Sequence, residues 1–143
     1  MVMEVRIFSL GAGKDTVVFA ANAAANGEDE ITGFTAGTDK LNFKAANSSA
    51  TSSKVISLGA TGSAQAATDK GAIIVVSTAT DSVTSLTKGT TYVVGVVQAD
   101  DSTNFYYYTA TGTTASADEL KGLTDGLVAV VGATVVASDF VSS

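Results

Sequence analysis

The sequence has no cysteine, histidine, proline or tryptophan. Without cysteine there is no disulfide, no thiolate nucleophile and no thiolate-bound metal. Without histidine the usual general base, the serine triad and nearly every zinc site are excluded as well. Chemistry is left to carboxylates, hydroxyls and a few lysines. The four glutamates, Glu4, Glu28, Glu30 and Glu119, are scattered or lie in one turn, which gives no support for a paired-carboxylate glycosidase. The chain is therefore expected not to be an enzyme.

Charge is scarce too, at 15% of residues against about 25% in ordinary soluble domains, while 45% are hydrophobic. Apolar surface is thus expected to remain after folding. With no proline and few lysines, the common devices that blunt open strand edges are largely missing. Either subunits bury these edges against each other, or the composition reflects an Ala/Val/Thr-rich β-core. A net charge of -6 and a pI near 4.3, with Arg6 the single arginine, argue against a nucleic-acid or anionic-membrane partner. No apolar run approaches the roughly 18 residues that cross a bilayer, so membrane insertion is not expected. The opening residues Met1 to Arg6 lack a basic segment followed by an apolar one, so a cleaved secretory signal is not expected. At 143 residues the chain suits one domain with a real core.

What is present centres on the stretch from Leu10 to Phe43. Gly11-Ala12-Gly13-Lys14-Asp15-Thr16-Val17-Val18 fits the glycine-aspartate nonapeptide of calcium-binding β-rolls, with Leu10 in place of the first glycine. Two glycines permit a tight turn, one aspartate supplies a hard oxygen, and the apolar residue that follows points to the core. A bare glycine turn leading into a strand is the plainer reading. The continuation runs through Asn26-Gly27-Glu28-Asp29-Glu30-Ile31-Thr32-Gly33-Phe34 and Gly37-Thr38-Asp39-Lys40-Leu41-Asn42-Phe43. These linked motifs resemble the segment that closes the β-roll in RTX proteins exported by type I secretion. The departures are Gly33, where that family usually has aspartate, and the lack of upstream repeats. The resemblance implies calcium held by Gly11, Gly13, Asp15, Glu28, Asp29 and Asp39.

Further along, 45–53 reads as a loop, 54–58 as a brief strand, and 62–71 as a short helix capped by Ser63 and stopped by Gly71. The β-branched run 72–76 reads as a strand covered on both faces. Thr91 to Val97 and Phe105 to Thr109 form a hairpin whose acidic turn holds Asp100, Asp101 and Asn104. These could ligate a second cation or simply make the turn. Along the tyrosine strand Tyr106 and Tyr108 alternate with Phe105 and Tyr107, so at least one pair is core and the other is free to stack on sugars or on a neighbour. Ser116-Ala117-Asp118-Glu119 is a capping box opening a short helix, and 127–131 and 134–136 read as strands. The order of hairpin, acidic turn, S-A-D-E-L helix, L-V-A-V-V-G strand and closing S-D-F-V is similar to the terminal segment of type I-secreted surface proteins.

The fold expected is all-β, with one or two short helices, in a single β-roll or β-sandwich-like domain. Residues 1–9 form a strand with apolar side chains on both faces, suited to pairing with a neighbouring subunit or to opening the same sheet. Residues 10–143 form the RTX-tail-like domain. The functional expectation is an extracellular or cell-surface structural protein, exported by the type I machinery through its C-terminal end, stabilised by calcium and assembling with itself into a filament, surface layer or matrix. The alternatives are a small adhesin or carbohydrate-binding module, and the secretion tail of a larger exported protein.

Overall fold

Most of the β-branched and aromatic residues fall in short strands. The computed structural model, which describes residues 6–43, 55–59, 63–68, 71–77 and 81–141, gathers these strands into three sheets. In chain order they are β1 (Ile7–Ser9), β2 (Thr16–Val18), β3 (Asp29–Thr32), β4 (Lys40–Asn42), β5 (Val55–Leu58), β6 (Ala64–Ala66), β7 (Ile73–Val76), β8 (Ser82–Thr84), β9 (Thr91–Val97), β10 (Thr103–Thr109), β11 (Ala115–Ser116), β12 (Leu127–Val131) and β13 (Phe140–Val141). Two short helices, α1 (Ala23–Asn26) and α2 (Ala117–Lys121), and a 3-10 turn over Ala137–Asp139 complete the described residues. The protein is all-β in class.

The large sheet has the order β1-β3-β12-β10-β9-β7-β5, and every strand in it except β10 runs the same way. The crossover from β1 to β3 and the crossover from β5 to β7 therefore move across this sheet in opposite directions. Parallel crossovers are right-handed, so the two must pass over opposite faces. They carry with them two small sheets, β13-β4-β2 and β11-β8-β6. The side chains bear this out. On β7, β9 and β10, Ile73, Val93 and Phe105 pack into one core with Leu41 and Phe140 of the first small sheet. Their neighbours Ile74, Val94, Tyr106 and Tyr108 pack into another, with Val83 and Ala115 of the second. At the β1–β3 end the face opposite the first core carries the exposed Ile7 and Glu30, whereas the strands β7 and β9 lie in the middle layer and are apolar on both faces. This is why β7 is a continuous Ile-Ile-Val-Val run.

The two halves are built alike. The ladders β1/β3 with β2/β4, and β5/β7 with β6/β8, are all parallel. The same closing bond recurs, Phe19 N–H to Asn42 O at 2.9 Å and Ala67 N–H to Thr84 O at 2.8 Å. A half-turn about an axis along the strands exchanges the halves, since it reverses both the order across the sheet and the face. Sequence echoes survive in Ser9-Leu10-Gly11-Ala12 against Ser57-Leu58-Gly59-Ala60, and in the Thr-Asp pairs that end at Asp39 and Asp81.

Several expected elements differ. Ser63 does not cap a helix: its N–H goes to Asp81 Oδ1 at 3.1 Å, and Ala64–Ala66 is strand β6, paired in parallel with β8. Thr134 to Val136 is not a strand. Val136 N–H is taken by Asp139 Oδ2 at 2.7 Å and so is not offered to a neighbouring strand, and Thr134 Oγ1 donates to Asp101 O at 3.0 Å. Helix α1 appears where only a turn was expected, capped by Asn22 Oδ1 on Ala25 N–H and closed by Gly27 at φ 72°. Ser116 does cap α2, accepting from Glu119 N–H. The expected loop 45–53 lies outside the described residues, as do 1–5.

Candidate functional site

The aspartates expected to hold calcium take up different duties. Asp39 is fully buried, and its two oxygens accept the backbone N–H groups of Asp15 at 2.9 Å and Thr35 at 2.8 Å. Asp39 and Asp15 are thus brought together at the start of neighbouring parallel strands β4 and β2. Asp29 is held by Arg6, whose Nε and guanidinium N–H reach its two oxygens at 3.0 and 3.1 Å. The same guanidinium lies 5.6 Å above the Phe8 ring. Glu28 is half-buried at φ 59°, in the turn that ends α1. Gly11 and Gly13 are exposed, Gly13 at φ 129°, with nothing close to either. Asp100 and Asp101 lie at the β9–β10 turn. Asp100 Oδ1 accepts from both the N–H and the hydroxyl of Ser102, bonds that hold its carboxyl below the usual range. Beside it is an open depression of about 510 Å³, lined by Gln98, Ala99, Asp100, Ser102, Asn104 and Val130.

Calcium takes six to eight oxygens. In kind the donors suit it, but Asp39 and Asp29 are already occupied by N–H and guanidinium donors. Asp15 Oδ2 is the exception, buried and without a hydrogen-bond partner. Among the described residues no three or more Asp or Glu side chains gather as metal ligands.

Two further buried aspartates belong with Asp39. Asp81 accepts from Gly59 N–H at 2.8 Å and Ser63 N–H at 3.1 Å. Asp139 accepts from Gly37 N–H at 2.6 Å and Val136 N–H at 2.7 Å. Each stands immediately before a short strand, β4, β8 or β13; Asp39 and Asp139 tie their own preceding loop to a neighbouring coil, and Asp81 takes both its donors from the loop between β5 and β6. Sequence reasoning singled out neither Asp81 nor Asp139. The available signal was an aspartate followed by two strand residues, seen in Asp39-Lys40-Leu41, Asp81-Ser82-Val83 and Asp139-Phe140-Val141.

The tyrosine hairpin is core rather than platform. Tyr92, Tyr106 and Tyr108 are buried in one core, and Tyr107 packs against the other while donating its hydroxyl to Ala20 O at 2.6 Å. Burial pushes the Tyr107 hydroxyl up to about 12.

Exposed apolar side chains gather at one end instead. Of the four large ones among the described residues, Ile7 (69% exposed), Phe8 (39%) and Val18 (69%) lie on β1 and β2. Among the described residues these strands are the open edges of the large sheet and of one small sheet, and β5 and β6 are the corresponding open edges at the opposite end. No family model, no curated protein and no solved structure matches the chain.

Proposed function

We propose that this protein is an extracellular structural subunit, exported by a type I route through its C-terminal end, stabilised by calcium, and assembling with copies of itself into a filament, surface layer or matrix. The observation that carries the reading is the concentration of Ile7, Phe8 and Val18 on the unpaired edge strands of one end. An open edge with apolar side chains, unguarded by proline, favours pairing with another edge. The low charge fraction of 15% agrees with it. Export and calcium rest on the motif resemblance, and Asp15 Oδ2 is the oxygen from which a calcium site would be built. A sugar-binding module has less support, because the hairpin tyrosines face inward.

Sedimentation of the purified protein in calcium and then in chelator tests this. Wild-type protein should sediment as a polymer in calcium, and Ile7→Lys should remain monomeric with an unchanged circular dichroism spectrum. Asp15→Asn should lose most of the rise in melting temperature that calcium gives the wild type. A monomer under all conditions would dispose of the proposal.

A further inference from the structure

Resting on the self-assembly reading, the geometry points to a specific head-to-tail junction: we infer that β1 of one copy pairs in parallel with β5 of the next, with Phe8 opposite Ser57. Strand direction and register agree on it, the register being read both from the backbone groups and from the pleat. β1 and β5 are the two outer strands of the large sheet and run the same way, so a simple translation of one copy sets β1 beside β5 in parallel and continues the sheet.

The register follows from the phase of the backbone groups. Arg6 O accepts from Glu30 N–H and Leu10 N–H donates to Thr32 O, so on β1 the even-numbered residues face β3 and Ile7 and Ser9 face outward. On β5, Leu58 O accepts from Ser77 N–H, so Leu58 and Ile56 face β7 while Val55 and Ser57 face outward. A parallel ladder sets each outward residue of one strand opposite an inward residue of the other. With all three β1 residues matched to β5 residues, only Phe8 opposite Ser57 satisfies this.

The pleat gives the same register. Phe8 pairs with Ile31 and Ser57 with Val75, both on the face of the first core. Ile7 and Ile56 then meet on the other face, where Ile56 already packs against the second core. Shifting the register by one residue breaks phase and pleat together. The junction brings Ile7, more exposed than Phe8, to the side where the partner carries its small sheet ending in β6. Such a contact joins two different surfaces, so each added copy presents a fresh β1 and growth continues.

Cysteine cross-linking tests the register, because the natural chain has no thiol. Opposed residues in a parallel ladder have Cα atoms within disulfide reach of about 4.4–6.8 Å. Within one chain β1 and β5 are separated by the width of the sheet, about 29 Å at about 4.8 Å per strand, so no internal bond can form. Under mild oxidation in calcium, the double variant Phe8→Cys/Ser57→Cys should give a ladder of covalent oligomers. A mixture of the two single variants should give dimers, and either variant alone should give monomers, with circular dichroism reporting the fold in each. Dimers from Phe8→Cys alone would mean symmetric β1–β1 pairing and overturn the inference. Wild-type protein that sediments as a polymer while the folded double variant gives no ladder would overturn the junction but leave self-assembly standing. Wild-type protein that never sediments would remove both.

Discussion

Asp39, Asp81 and Asp139 each bring one carboxylate to two backbone N–H groups that no strand or helix satisfies. Replacing one by asparagine turns an acceptor oxygen into a donor nitrogen and leaves an N–H group unmet, which costs about 1–3 kcal/mol. Asp39→Asn and Asp139→Asn should therefore lower the midpoint of urea unfolding clearly. Asp101→Asn, exposed in a turn whose left-handed backbone asparagine tolerates, should stay within about 0.5 kcal/mol of wild type. Equal losses at all three sites would show that the clips are not what fastens the loops.

Tyr107 gives a pH signature. Its hydroxyl pKa is raised by burial to about 12, partly countered by Asn26, so the folded state holds the phenolic proton more tightly than the unfolded chain does. The contribution to stability is fully present below pH about 10, the usual tyrosine range, and is lost as pH rises through about 12. Tyr107→Phe should flatten the alkaline limb of a stability–pH curve, and an unchanged limb would place the loss at other groups.

At the level of elements, the close approaches are made by glycine. A Cβ on Gly33 would lie 2.6 Å from Leu10 O, and one on Gly126 would lie 2.5 Å from Tyr107 O, with both backbones at positive φ. Gly89 has a similar φ of 83° but open space around it. Gly33→Ala and Gly126→Ala should each cost roughly 1–3 kcal/mol more than Gly89→Ala in denaturant unfolding. The clash at Gly33 leaves no room for a side chain beside Leu10.

The same contacts decide what the sequence revealed. The β9–β10 hairpin, the doubly buried β7 and the Ser116 cap were legible because alternation, a β-branched run and a capping residue act locally. The alanine-rich stretch after Ser63 looked helical, and what makes it a strand is Asp81, far along the chain. Thr134 to Val136 had strand composition, but the Asp139 carboxylate takes the Val136 N–H that a ladder would use. Of the proposed ligands, the motif did bring Asp15 and Asp39 together, whereas Asp29 went to Arg6, a pairing that no spacing announces.

For the whole molecule, two similar halves related by a half-turn leave, among the described residues, one open parallel edge at each end of the large sheet. The halves were hard to see in sequence because little more than Ser-Leu-Gly-Ala and the Asp clips recur, while the shared hydrogen-bond pattern is carried by dissimilar residues such as Phe19 and Ala67. An assembly that continues the sheet by translation adds one seven-stranded layer per copy. At about 4.8 Å per strand this is a repeat of about 34 Å along the axis. Electron micrographs of the protein assembled in calcium measure that spacing directly. Filaments with an axial rise near 34 Å per subunit are the predicted result, and dispersed monomers, or filaments repeating at about twice that distance as symmetric dimers would, contradict the account.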